Sequence, residues 1–585
     1  MGTAQAPMYE WEDLPWQRIE RAVFKLQKRI YRAAQRGDTK TVHRLQRLLI
    51  KSRSAKLLAT RRVTQDNQGK KTAGVDGVKA LTPAQRLTLA KGLTVTAKAQ
   101  PVRRVWIPKP GTTEQRGLGI PVMQDRAAQA LAKLALEPAW EARFEPNSYG
   151  FRPGRSCHDA IEALFNAIRC KAKFVLDADI AKCFDRIDHR ALLEKLQTSP
   201  TLRRAIRGWL RAGVMDGPTL YPTTAGSPQG GVISPLLANI ALHGLEQAIT
   251  TSLSARQSRE RRQPIVVRYA DDFVVLHQDR EVVEQCRVAA QEWLAGIGLE
   301  LKPSKTRIVH TLDALEGHEG PGFDFLGFHV RQYHTGRTRT AYNTNGMPLG
   351  FQTLICPSKE SIWRHTQQLD TLLRRYRAAP QAALIAHLNP LVRGWTRYFS
   401  TTAASHTFRR LHCVLYQKLR SWAGRRHPNK PWRWIVGKYW RSETTKWRFA
   451  VKDGPRLYQH SQTPIRRHVK VSGRRSPFDG DWAYWGRRLG RYPDLPRRVV
   501  TLLRWQDGNC ARCGLPFRAG DLPVVGHIVP LSQGGKDRYL NWQLVHHVCH
   551  AVQFAAADAA LARGSLSKGS ATEEPDEVKV SCPVL

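Results

Sequence analysis

The chain is poor in acidic residues. Its 585 residues hold 48 Asp and Glu against 93 Lys and Arg, a formal net charge of +45. Such a surplus repels itself in a folded protein unless a polyanion neutralises it, and nucleic acid is the natural polyanion. Long apolar runs are missing too, and no basic amphipathic anchor stands out, which argues against a membrane protein. The opening residues, "MGTAQAPMYEWEDLPW", lack a signal-peptide pattern, and Ala6 breaks a myristoylation match. Six of the ten Cys are scattered singly through the first 413 residues. That excludes a disulfide framework and fits a reducing cytosol. No internal repeat is present, which excludes a solenoid.

What is present divides the chain into segments. The length predicts two to four domains. Residues 17–50 read as helix, with Ile19, Ala22, Val23, Leu26 and Ile30 on one face, a break at "RGDT", and a second helix through Leu45, Leu48 and Leu49. Residues 66–79 form a Gly-rich polar loop. From about 100 to 330, β-type runs alternate with helical stretches, as in an α+β domain. From about 355 to 445 the pattern is helical and basic. Residues 401–500 hold 24 Lys or Arg against 5 Asp or Glu, with 7 Trp and 5 Tyr. Arg and Lys neutralise phosphates while aromatic rings stack on unpaired bases. Trp395 and Trp422 read as helix-packing residues. Arg425, Arg426 and Lys430 read as RNA contacts in a Pro-containing loop.

The chemistry concentrates in two acidic stretches. "IVVRYADDFVVL", 265–276, places Asp271 and Asp272 between two apolar runs, the pattern of a β-hairpin. "KFVLDADIAKCFDRIDH", 173–189, begins as a strand with Asp177 and Asp179 on one face. Adjacent carboxylates repel each other where water is scarce, unless cations sit on them. With Asp179 facing Asp271 across the sheet, the group can hold two Mg²⁺ ions that activate a primer 3′-hydroxyl and stabilise leaving pyrophosphate. Taken alone, "ADD" is an ordinary turn. The second strand and the segments below change that.

"YADDF" resembles the active-site box of reverse transcriptases, and the surrounding segments resemble group II intron-encoded proteins. Residues 103–160 are similar to that family's fingers. "AGSPQGGVISPLLANIALHGLE" is similar to its template and nucleotide segment, and "GLELKPSKTRI" and "FDFLGFHV" follow in the family's order. Gly117 stands where the family usually has Pro. The resemblance covers nearly the whole chain. It implies a multidomain α+β protein: a right-hand polymerase with fingers and palm, a helical thumb/maturase domain, and a small ββα-metal zinc module. The implied boundaries are an RNA-binding helical extension over 1–90, fingers and palm over 91–345, and thumb/maturase over 355–445. A basic DNA-binding region over 446–500, an HNH-like module over 501–556 and a disordered tail over 557–585 follow.

Carried over by position, Asp179, Asp271 and Asp272 are the metal-site carboxylates, with Asp179 and Asp271 as direct Mg²⁺ ligands. Phe184 stands where the family has an aromatic gate against a 2′-hydroxyl; a core Phe is the plain alternative. Gln229 would contact the incoming dNTP, Lys109 and Arg116 its triphosphate, and Lys305 the pyrophosphate; a solvated surface charge is the plain alternative for each of the three cations. Asp177, Asp185 and Asp188 read as structural. In the family the maturase segment binds intron RNA and assists splicing, the RNA itself being the catalyst.

In "CARC" and "HHVC", Cys510, Cys513, His546 and Cys549 have the spacing of a structural Zn²⁺ site. The intervening residues resemble the HNH nuclease fold, with His527, Asn541 and His550 at its three signature positions. Gly526 stands where that family has a ligating Asp or His, so the nuclease reads as impaired unless Asp521 or Asp537 substitutes. The implied whole is an intron-RNA ribonucleoprotein of the bacterial cytoplasm and nucleoid. It would insert into target DNA and copy its RNA with dNTPs, without a membrane. Two alternatives remain. A splicing-only maturase is opposed by intact "YADDF", "DADI" and "SPQGG", and a reverse transcriptase outside introns, such as one in phage defence, by the maturase and HNH-like segments.

Overall fold

The computed structural model describes residues 10–550, apart from segments at 109–113, 253–262, 318–319, 337, 444–445, 482–483, 486–487, 489–496, 518–520, 522 and 547–548. Helices Trp16–Gln35 and Thr39–Lys51 flank the "RGDT" break. Asp38 caps the second by accepting the Thr41 N–H at 3.0 Å. The buried faces depart from the expectation at two residues. Ala22 is exposed while Phe24 and Gln27 are buried, and Leu48 is 51% exposed. The reason is the partner, helix Met123–Glu141. Gln27 and Gln46 donate to its Leu134 and Ala135 carbonyls, which turns the stripe Val42, Leu45, Gln46 and Leu49 inward and leaves Leu48 beside it.

Between 102 and 310 the chain forms strands β1 (Val102–Pro108), β2 (Gln115–Ile120), β3 (Phe174–Asp179), β4 (Val214–Asp216), β5 (Thr219–Tyr221), β6 (Ile265–Tyr269), β7 (Asp272–His277) and β8 (Arg307–His310). They make two four-stranded sheets, ordered β2-β1-β4-β5 and β6-β7-β3-β8. The strands of the second sheet are apolar on both faces because both faces are covered. Leu176, Ala178, Val266, Phe273 and Val275 enter one core, while Val175, Val267, Val274 and Leu276 enter another. The first core contains residues of helix Arg280–Ala295, and the second residues of helix Cys157–Ile168. This sheet is therefore a rigid partition, and its acidic ends are held in place by apolar packing on two sides.

Strands β9 (Phe323–Phe325), β10 (Phe328–His334) and β11 (Phe351–Pro357) form a third sheet. Helices Lys359–Arg375, Gln381–Phe399, Ser405–Arg426 and Trp432–Tyr439 follow. Trp422 is buried, and Trp395 stacks on His365 with ring centroids 4.7 Å apart, so both pack helices as expected. The described part of 446–500 turns back onto the body. Asp159 of helix Cys157–Ile168 accepts the Val471 N–H at 2.8 Å and meets His468 and Arg488. Arg155 donates to the Gly473 and Arg475 carbonyls. Some of this segment's positive charge is thus used inside the protein. Helix Arg497–Trp505 leads into the hairpin β12 (Pro523–His527) and β13 (Trp542–His546). Among the described residues no helix is long and apolar enough to cross a membrane.

Candidate active site and metal centre

Pairing between β3 and β7 sets Asp179 opposite Asp272, not opposite Asp271 as expected. Tyr269 pairs with Asp272 across the hairpin, so Ala270 and Asp271 make a two-residue turn. Asp271 belongs to that turn and lies outside the ladder, which corrects the register. The turn needs unusual backbone: Ala270 has φ +58°. Gly150 lets it close, since a Cβ there would lie 2.3 Å from the Ala270 nitrogen. Buried Arg268 donates to the Ala270 carbonyl at 3.0 Å and to Asn239 Oδ1 at 3.1 Å. Asn239 in turn donates to the Gly150 carbonyl, and Glu145 lies 4.0 Å from the guanidinium. No motif marks Arg268 as a functional residue. Its signal was an arginine inside the apolar run "IVVRY", where a buried charge requires partners.

The carboxylates oppose one another. Burial, and then the charges of Asp271 and Asp179, push the Asp272 carboxyl up to about 7. Burial also raises Asp271, with Asp179 adding and Arg116 and Lys305 opposing. Lys305 Nζ lies 2.9 Å from Asp179 Oδ2. Asp179, Asp272, Ser304 and Lys305 line a cleft of about 330 Å³. Oxygen donors crowded in a low-dielectric cleft are the chemistry that hard divalent cations satisfy, so this donor set fits Mg²⁺. Asp177 lines the same cleft but pairs with Arg307 at 3.1 Å, and Asp188 caps helix His189–Lys195 through the Ala191 N–H at 2.7 Å. Asp185 lies in the short helix Cys183–Arg186.

Backbone bonds tie the nucleotide candidates to one another. The Phe184 carbonyl accepts the Ser227 N–H, and the Gln229 carbonyl accepts the Gly119 N–H, both at 2.6 Å. These bonds join Phe184, the "SPQGG" segment and β2, which carries Arg116. Close approach explains Gly230, where φ is +113° and a Cβ would lie 2.8 Å from the Gly119 oxygen. Half-buried Phe184 meets Phe151 edge-on, with centroids 6.3 Å apart. Lys109 lies outside the described residues.

The expected RNA contacts separate. Arg425 and Arg426 end helix Ser405–Arg426 and do not lie in a loop. Arg425 is exposed. Arg426 donates to the Arg377 and Ala379 carbonyls at 2.7 and 2.9 Å and lies 4.6 Å from the Trp422 ring, so it closes the helical core. Lys430 is exposed beside Trp434. Trp434 is itself 41% exposed.

Donor atoms of Cys510, Cys513, His546 and Cys549 lie within 4.8 Å of one another. That span suits a tetrahedral ion with ligands at about 2.0–2.3 Å. Mutual hydrogen bonding lowers the Cys510 thiol and raises Cys513. Burial alone would lower His546, yet its hydrogen bonds to Asp521 and the cysteine sulfurs push it up to about 11. Asp521 Oδ2 lies 3.5 Å from His546 Nε2, the place of a carboxylate that orients a metal-ligating histidine. Asp537 instead bonds His527 Nε2 at 3.0 Å and accepts the Trp542 indole N–H. Asn541 is held by Val529 and the Lys536 carbonyl. A Cβ on Gly526 would point at His550, 3.1 Å from its Cδ2.

Family models match in chain order. The N-terminal domain of reverse transcriptase matches 11–93, and reverse transcriptase (RNA-dependent DNA polymerase) matches 107–330. The group II intron maturase-specific domain matches 362–440, and HNH endonuclease matches 510–552. Protein YkfC of Escherichia coli (strain K12) is 32% identical over 326 residues, 48% of this chain and 82% of that protein. Group II intron-encoded protein LtrA of Lactococcus lactis subsp. cremoris is 33% identical over 213 residues, 36% of this chain and 35% of LtrA. Maturase-like protein 1 of Euglena gracilis is 27% identical over 338 residues, 55% of this chain and 65% of that protein. The matched stretch thus spans most of YkfC but about a third of LtrA.

Proposed function

Since the chain belongs to the group II intron-encoded proteins with reverse transcriptase and maturase domains, we propose that it copies its intron RNA into DNA and assists that RNA's splicing. The observation that carries the polymerase reading is the acidic cluster: Asp179 in register with Asp272, Asp271 on the turn, and Lys305 on Asp179. Asp179 and Asp271 would hold two Mg²⁺, and Asp272, in register with Asp179, would add negative charge to the site. When bound, such ions activate the primer hydroxyl and stabilise the leaving pyrophosphate. The protein supplies orientation. Arg116 and Lys109 hold the triphosphate, Lys305 the pyrophosphate end, and Gln229 the nucleotide, while Phe184 excludes a 2′-hydroxyl.

The finer architecture is a right hand, with fingers on the β2-β1-β4-β5 sheet, palm on the β6-β7-β3-β8 sheet, and thumb in the helices after 359. The thumb, with Arg425 and Lys430 beside Trp434, binds intron RNA, and the 446–500 segment contacts target DNA. The Cys₃His cluster holds a structural Zn²⁺. The nuclease is impaired because Gly526 offers no ligand beside His550. The particle is a cytoplasmic ribonucleoprotein that primes on DNA 3′ ends.

Primer extension on an RNA template with dNTPs and Mg²⁺ tests this reading. Asp271→Ala should lower the rate by about 10³-fold or more. Equal extension by the variant would leave splicing as the activity and the polymerase reading would fall.

A further inference from the structure

A second cavity, of about 590 Å³, shares no residue with the carboxylate cleft. Trp293, from the helix packed on β3 and β7, forms one wall, and Trp140 and His243 form another. Arg143 and Lys195 also line it, and Gln247 lies exposed in its lining. The volume is in the range of small-ligand pockets. No carboxylate lines it among the described residues. We propose that this cavity is an anion site of the phosphate class.

The charges support that assignment. Lys195 donates to the Ala241 carbonyl at 2.8 Å and lies 4.6 Å from the Trp293 ring centroid. Arg143 donates to Gln197 Oε1 at 3.1 Å and lies 5.3 Å from the Trp140 centroid. All four of these partners are neutral. Burial pushes the Lys195 ammonium down to about 8, and burial lowers Arg143 as well. The nearby carboxylate, Glu145, partly opposes the effect of burial on Lys195 but does not itself line the cavity; its closest side-chain contacts go to two lining residues. It accepts the Gly244 N–H and lies 2.9 Å from His243 Nδ1. Two partly desolvated cations that converge on a cavity without a carboxylate gain free energy when an anion enters. Arg forks onto phosphate oxygens, and Lys meets them as a point charge.

Phosphate could come from an RNA backbone or from a free anion, and the experiment separates them. Thermal midpoints of the full-length protein are followed with inorganic phosphate against chloride at equal ionic strength. Affinity for a 40-nucleotide RNA is measured across salt concentrations. The variants are Arg143→Gln/Lys195→Met and Gln247→Glu; the second sets a carboxylate at an exposed position that should not disturb folding. A free-anion site predicts a phosphate-dependent rise in midpoint that both variants lose. A site for RNA phosphate predicts no such rise, about tenfold weaker RNA binding in the double variant, and a salt slope reduced by about 1. If phosphate shifts nothing and neither variant changes RNA affinity or slope, the assignment is wrong. Primer extension by the unaltered protein is run on the same preparation. It reports on the polymerase reading separately, so either idea can fail without the other.

Discussion

The carboxylate cleft and the Cys/His module are both metal-competent, yet they are built on opposite electrostatic plans. In the cleft, like charges are forced together. Burial and mutual repulsion raise Asp271 and Asp272, and a rigid sheet with Arg268 under the turn holds them there. In the module, unlike groups cooperate: Asp521 supports His546, which closes on the cysteines. A site strained against itself is suited to binding reactants that relieve the strain. A mutually satisfied site is suited to holding a small fold together, because a module this size lacks a core large enough to do so. The surroundings of Gly526 follow neither plan: no side chain reaches from that position toward His550, whose Cδ2 would lie 3.1 Å from a Cβ there.

Breaking the frame of the cleft should have the largest effect. Arg268→Met leaves Glu145 buried without its guanidinium and frees the Ala270 carbonyl. We expect about 3–5 kcal/mol of lost stability in denaturant melts, together with slower primer extension. Melts that match the unaltered protein would mean that the hairpin is held by packing alone.

Relieving the strain should stabilise. The folded-state pKa of Asp272 is raised from 3.8 to about 7. Its favourable contribution is therefore complete below pH 3.8 and lost as pH rises through about 7. Asp272→Asn should gain about 2–4 kcal/mol at pH 8 in chelator-treated, Mg²⁺-free buffer. The gain should shrink as pH falls, and thermal melts at pH 5, 6.5 and 8 would expose a pH-independent change.

In the module the corresponding change should act on metal retention. Asp521→Ala should weaken zinc binding about 10–100-fold in a competition titration with a chromogenic chelator. An unchanged titration curve would show that His546 is oriented by something else. The smallest effect expected is a gain. Gly526→Asp, with its Cβ directed at His550, should raise nicking of labelled duplex DNA about tenfold over the unaltered protein. His527→Ala on that background should remove the nick. Strong nicking by the unaltered protein would point to Asp537, already bonded to His527, as the working carboxylate.

Local pattern was enough for features whose partners are near in sequence. The "ADD" hairpin, the helix break at "RGDT", the structural part of Asp188 and the paired Cys/His spacing are written in neighbouring residues, and short-range sterics and hydrogen bonding decide them. The order of the polymerase, maturase and HNH segments was legible through the resemblance of their motifs to a known family, and the family models match in that order. The tertiary structure decided what depends on distant strands and faces. It set Asp179 against Asp272, recruited Arg268, Asn239 and Gly150 to the turn, turned Arg426 into the helical core, and placed Asp521 on His546. It also assembled the Arg143/Lys195 cavity from several separate helices and loops. Register and convergence of this kind come from packing whole surfaces against each other, and no single stretch of sequence contains both sides of such a contact.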